Sequence, residues 1–236
     1  MNILALDCSS FSVSVCVSND DKILFSSFFN KKRTHSETLM TQIEYALTQA
    51  ELNICDIDVY GVTVGPGSYT GLRIGTATIK ALAHANSKPV SAISTLKALS
   101  VNALHGSSYI CPIIDARNDQ IYSAVYENKN LILSQIISDS PFEINEFISE
   151  VKKLELNNQI VFVGDGAVLH TDKIKNAFGS KSVITDGYAS LIDAKNVEYL
   201  TRFNALNDNL ISYMELEPVY LRKPQAEREL NKNGKQ

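Results

Sequence analysis

Two hydrophobic periods alternate along this chain, and the switches between them predict a mixed α/β protein. Ile3, Leu4 and Leu6 make a short apolar run into Asp7. Val13, Val15 and Val17 alternate with Ser12, Ser14, Cys16 and Ser18, the period of a strand with one better-buried face. A turn at Asn19-Asp20-Asp21 leads to a third strand over residues 23–29, so the chain opens as an antiparallel meander. Leu39, Ile43, Ala46, Leu47 and Ala50 fall at helical spacing over residues 36–50, with Thr34 and Glu37 in capping-box positions. A strand over 59–64 runs into the turn Gly65-Pro66-Gly67 and a helix to about residue 86. A strand over 89–93 follows, then a helix capped near Ser94 or Thr95.

A second set of elements begins near Ser108. Strands are expected over 109–114, ending at Asp115, and over 121–126 and 131–137. A helix is expected over 141–156, a strand over 160–163 entering Gly164-Asp165-Gly166-Ala167, a helix after that turn, a short strand near Val183, and a helix through Leu200. Both halves open with a strand that ends in an aspartate, which predicts a duplicated α/β lobe. The expected division is an N-terminal lobe over 1–105, a C-terminal lobe over 106–221 whose last helix is a candidate to pack back on the first, and a flexible polar tail over 222–236.

Composition narrows the classes. A chain of 236 residues with 44% hydrophobic residues can bury a sizeable core. A net charge of −4 makes a poor stand-alone binder of nucleic acid, so such a partner would be held mostly by another protein. No apolar run approaches the ~18 residues of a membrane span, and the apolar start reads as a strand, not a signal peptide. The four cysteines form no CxxC pair and are expected to be reduced and buried, in a cytoplasmic protein.

The chemistry centres on residues 65–75, Gly-Pro-Gly-Ser-Tyr-Thr-Gly-Leu-Arg-Ile-Gly. Ser68 or Thr70 can cap the helix. The spacing rejects both a P-loop and a dinucleotide-binding turn. Gly71 and Gly75 are four apart, and Ala77, Ala81 and Ala85 make another four-spaced stripe. Each stripe lets another backbone approach closely, either the protein's own sheet or another chain.

Leu4-Ala5-Leu6-Asp7-Cys8-Ser9-Ser10, His35-Ser36-Glu37, the 65–75 segment, Ser94-Thr95-Leu96, Asp115-Ala116-Arg117 with Tyr122, Gly164-Asp165-Gly166-Ala167 and Pro218-Val219-Tyr220-Leu221-Arg222 together resemble the bacterial TsaB (YeaZ) family over nearly the whole chain. The resemblance implies a two-lobed actin/hexokinase/Hsp70-like (ASKHA) fold with ribonuclease-H-like lobes. It implies an accessory role in forming the threonylcarbamoyl group on adenosine 37 of tRNAs that read codons starting with A. The catalyst would be a larger metal-binding paralogue, TsaD, with an ATPase, TsaE, as a third component. tRNA would be met only through that complex, ATP and metal would sit on the partners, and the chain would pair with itself when TsaD is absent.

The paralogue carries a HxxxH pair on its first long helix; here His35 is followed four residues on by Leu39, and one imidazole cannot hold a metal alone. The expected docking residues are His35, Glu37, Leu39, Met40, Ile43, Leu72, Arg73, Gly75, Thr76 and Lys80. A bulky residue at Gly75 is expected to leave the monomer folded and weaken pairing. A vestigial or shared nucleotide site is expected at Asp7, Ser9, Gly67, Ser68, Asp115, Arg117, Gly164 and Gly166. Cys8, Ser9 and Ser10 stand where a phosphate-hugging turn of this fold carries glycine, which argues against independent ATP binding. Gly164-Asp165-Gly166 reads as the remnant of an adenosine loop or, more simply, as a tight strand-to-helix turn. Arg117 is a candidate to reach a phosphate at the paralogue's site. The rival classes are a stand-alone kinase-like enzyme of the same fold and a glycoprotease-like factor.

Overall fold

The strand β1 (Asn2–Asp7) is apolar from Ile3 to Leu6 because both of its faces are covered. It lies at the centre of a five-stranded sheet in the order β3-β2-β1-β4-β5. It pairs antiparallel with β2 (Val13–Asn19) and parallel with β4 (Val59–Gly65), placing Leu4 opposite Val17 and Tyr60. β3 (Lys22–Phe29) forms one edge and β5 (Val90–Ser94) the other. The helices α1 (His35–Gln49) and α2 (Tyr69–Asn86) lie on the face that receives Leu4 and Leu6. The computed structural model describes residues 1–20, 22–30, 35–117 and 119–222, with the side chains of residues 35–37 outside that set. The capping box expected at Thr34 and the tail beyond Arg222 therefore lie outside the described residues.

The second sheet repeats the first. Its strands are β6 (Tyr109–Asp115), β7 (Gln120–Lys129), β8 (Ile132–Glu143), β9 (Ile160–Val163) and β10 (Ser182–Ile184), ordered β10-β9-β6-β7-β8. β6 holds the place of β1: antiparallel to the strand that follows it, parallel to β9. The helix α4 (Ile144–Lys153), with α5 (Asp165–Leu169) and α6 (Thr171–Phe178), covers its outer face around Phe147, Phe162 and Ile174. Between the sheets lie α3 (Thr95–Ser100) and α7 (Ala194–Leu206). One apolar cluster joins Ile3 and Ala5 of the first sheet, Leu96 and Val197 of these helices, and Ile110 and Val161 of the second sheet.

Two sequence expectations are corrected. Residues 141–143 belong to β8, not to the following helix, and Pro141 stands opposite Tyr122. A proline is tolerated there because β8 is an edge strand. Cys55 is exposed, while Cys8, Cys16 and Cys111 are buried; all four are free thiols.

After α7 the chain turns back over the first sheet. Ile211 exchanges backbone hydrogen bonds with Val90 at 2.9 and 3.0 Å, covering the β5 edge. Leu216 enters the core, and residues 211–222 run along α2 as a strap. Among the described residues no helix is long and apolar enough to cross a membrane.

Candidate functional site

Asp7, at the end of β1, has no exposed surface. Its Oδ1 accepts from Ser9 N at 3.1 Å, from Ser9 Oγ at 2.6 Å and from Thr63 Oγ1 at 2.6 Å. It therefore stitches the turn after β1 to β4 and does not reach the cleft. Gly65 ends β4 at φ +131°, a conformation that strains a side chain, and Val219 O lies where its Cβ would be. Ser68 caps α2 by accepting from Gly71 N at 3.3 Å, and its own N–H donates to Ser9 O at 2.7 Å. Gly67 and Gly71 allow this approach: added Cβ atoms would collide with Ser9 O and Cys8 O. The two turns of the first lobe are thus packed backbone to backbone.

The facing wall comes from the second lobe. Asp115 Oδ1 accepts from Arg117 N at 2.8 Å, and Arg117 takes a left-handed conformation at φ +63°. Asp165 Oδ1 accepts from Asp115 N at 3.0 Å and from Gly166 N at 2.8 Å. Burial, opposed by those backbone donors, pushes the Asp165 carboxyl above its ordinary value. Gly164 and Gly166 lie behind this wall, against Ile113, and permit close packing of α5 on β6.

Between the walls is a cavity of about 430 Å³. Of the residues expected at a nucleotide site, Ser9, Gly67, Ser68, Asp115 and Arg117 line it. Asp7, Gly164 and Gly166 do not; they are structural supports. Sequence reasoning missed Phe11, Tyr69, Tyr122 and Asp165 as lining residues, and missed the strap, whose Val219–Arg222 end forms part of the lining. Its signal was present in the Pro218–Arg222 motif, which carries no local chemistry of its own.

The docking expectations divide. Leu39 and Ile43 are 1% and 2% exposed and belong to the core, because α1 turns that face onto the first sheet. Leu72 and Thr76 are also buried, and Thr76 Oγ1 donates to Leu72 O at 2.7 Å. A Cβ on Gly75 would stand 3.2 Å from Leu6 Cδ1 and 3.3 Å from Cys8 Cβ, so this glycine serves the protein's own packing. Arg73 and Lys80 hold the strap. Arg73 lies 4.0 Å over the Tyr69 ring and donates from Nε to Tyr220 Oη at 2.9 Å; Lys80 Nζ donates to Met214 O and Leu216 O at 3.0 and 3.2 Å. Met40 is exposed, as are Ala77, Ala81 and Ala85. The glycine stripe faces in and the alanine stripe faces out. His35 and Glu37 lie on α1, with side chains outside the described set.

Twin sheets of this topology around a cleft define an ASKHA-type two-lobed protein. The ROK hexokinase of Thermus thermophilus shares the fold, with TM-score 0.52 and 11% identity over 88% of this chain and 100% of that one. YeaZ from Pseudomonas aeruginosa matches with TM-score 0.79 and 23% identity over 93% of this chain and 99% of its own. The family model for TsaD, tRNA N6-adenosine threonylcarbamoyltransferase, matches residues 22–230. The tRNA threonylcarbamoyladenosine biosynthesis protein TsaB of Bacillus subtilis is 31% identical over 227 residues, 96% of each chain. The chain belongs to the TsaB (YeaZ) family.

Proposed function

We propose that this chain is an accessory subunit for forming the threonylcarbamoyl group on adenosine 37 of tRNAs that read codons starting with A. The observation that carries this reading is the likeness, over 96% of both chains, to a protein named for threonylcarbamoyladenosine biosynthesis. In this reading the chain performs no chemistry. It docks on the larger paralogue TsaD, which holds the metal; ATP is bound by the partners, with TsaE joining the assembly. tRNA is contacted through the complex, in the cytoplasm.

The docking element is the outward face of α2, around Ala77, Ala81 and Ala85, with the exposed Met40 of α1 as a second candidate. Small exposed residues four apart let a second helix approach closely. Without TsaD the same face pairs two copies of this chain, a self-complementary contact.

The test is to reconstitute the modification with TsaD and TsaE, with and without this chain, and to measure modified adenosine by mass spectrometry. Modification only when the chain is present supports the reading. Equal modification without it, or ATP turnover by the isolated chain, overturns it in favour of a stand-alone enzyme.

A further inference from the structure

One end of the interlobe cavity gathers charge of both signs. Asp165 Oδ1 accepts from Asp115 N at 3.0 Å, Asp115 Oδ1 accepts from Arg117 N at 2.8 Å, and Arg222 Nη1 donates to Ala116 O at 3.4 Å. Two carboxylates and two arginines are thus tied to the short stretch 115–117, and all four residues line the cavity. Among the described residues neither arginine makes an ion pair, and neither aspartate Oδ2 accepts a hydrogen bond. Opposite charges share one cavity here without neutralising each other, and most of their donors and acceptors stay unused.

That balance restricts what the cavity can take. An anion drawn to the arginines also meets two carboxylates, and a cation drawn to the carboxylates also meets two guanidiniums. Either gains from one pair and loses to the other. A ligand carrying both signs gains from both. An α-amino acid holds its ammonium and its carboxylate on one carbon, so the two charges reach a cluster confined to residues 115–117 together. The end of a polypeptide carries only one of them.

The remaining lining favours an apolar side chain. Phe11 is 73% exposed at the turn between β1 and β2, with no ring partner among the described residues. An aromatic ring left in water at a cavity forgoes the burial that normally holds it. Tyr122, from β7 on the other wall, also has no ring partner among the described residues. The volume, about 430 Å³, lies towards the small end of the about 300–1,000 Å³ usual for small-molecule sites.

We propose that the interlobe cavity binds a free α-amino acid with an apolar side chain. Its carboxylate meets Arg117 and Arg222, its ammonium donates to Asp115 and Asp165, and its side chain lies against Phe11 and Tyr122. The site is independent of the α2 docking face, so failure of either leaves the other standing.

The experiment is an NMR titration of the isotope-labelled full chain, reading the backbone N–H groups of Ala116 and Arg117. The probes are leucine, glycine, N-acetyl-leucine, which lacks the ammonium, and leucinamide, which lacks the carboxylate. Leucine is expected to shift both signals to saturation and to bind at least about tenfold more tightly than either blocked form, as for loss of a hydrogen bond between charged groups. Arg117→Gln should weaken leucine about tenfold without weakening leucinamide further. Asp115→Asn keeps an oxygen for the Arg117 N–H; it should weaken leucine by a similar factor without weakening N-acetyl-leucine further. Phe11→Ala should weaken leucine and leave glycine unchanged. Arg117 and Phe11 are exposed and the asparagine retains its backbone partner, so all three variants keep the fold. No shift at Ala116 and Arg117 with millimolar leucine, a blocked form that binds as tightly as leucine, or a leucine affinity unchanged in all three variants overturns the proposal.

Discussion

The backbone N–H of Ser68 donates to Ser9 O at 2.7 Å, tying the first turn of α2 to the turn that follows β1. The contact needs bare backbone on the α2 side, which Gly67 and Gly71 provide. It closes the first-lobe wall of the cleft from behind and leaves the wall's chemistry to residues further along each turn.

Gly71→Ala tests that closeness. Alanine in place of glycine within a helix ordinarily adds about 1 kcal/mol. Here its Cβ would collide with Cys8 O, so the variant should lose on the order of 2–3 kcal/mol, read as a lower urea midpoint with an unchanged slope. An unchanged or higher midpoint would show that the two turns part without cost.

Gly75→Leu and Ala81→Arg should separate folding from docking. Leucine at 75 points at Leu6 and Cys8, and overpacking there should cost about 1–3 kcal/mol or more and destabilise the monomer itself. Arginine at 81 sits on an exposed face and should change stability by no more than ~0.5 kcal/mol while abolishing co-purification with TsaD. Retained pairing by Ala81→Arg would move the docking face elsewhere.

The strap should respond to Tyr220→Phe. The change removes the acceptor for Arg73 Nε but keeps the ring packed 4.8 Å from Tyr69. The Val219 N–H, bonded to Val64 O at 2.7 Å, should exchange faster with solvent while the global unfolding midpoint stays the same. Unaltered exchange would mean that Leu216 and the Ile211–Val90 pairing hold the strap without help.

Asp165 makes a pH prediction. Its carboxyl is raised in the folded state by burial, so the native protein binds this proton more readily than the unfolded chain. Its ionisation therefore costs stability above the folded value, and the loss disappears as pH falls below the ordinary aspartate range. Asp165→Asn, which keeps an oxygen for the Asp115 and Gly166 N–H groups, should gain on the wild type at pH 7 relative to acid. Paired urea curves at neutral pH and near pH 4 measure the difference; a gap independent of pH would place the cause outside ionisation.

The repeated strand pattern, the helix caps to within Ser68 or Thr70 and Ser94 or Thr95, the breaks at Gly65 and Gly164 and the twin aspartates at strand ends were all legible in the amino-acid order. Each depends on local backbone chemistry and side-chain period, which a sequence displays directly. The family was legible too, because its motifs are carried at fixed intervals. Helical period also established that α2 has two small-residue faces, but not which one looks inward. That was decided by Leu6 of β1 and Cys8 just after it, which occupy the space beside Gly75 and leave Ala77, Ala81 and Ala85 to solvent. Leu39 and Ile43 went inward for the same reason: an apolar stripe names a buried face without naming the neighbour that buries it. The strap and the cavity lay further from view. They join Val219 to Val64, Tyr220 to Arg73 and Asp165 to Asp115, pairs far apart along the chain that only the tertiary fold brings within hydrogen-bonding distance, by laying the strap over β4 and α2 and packing α5 on β6.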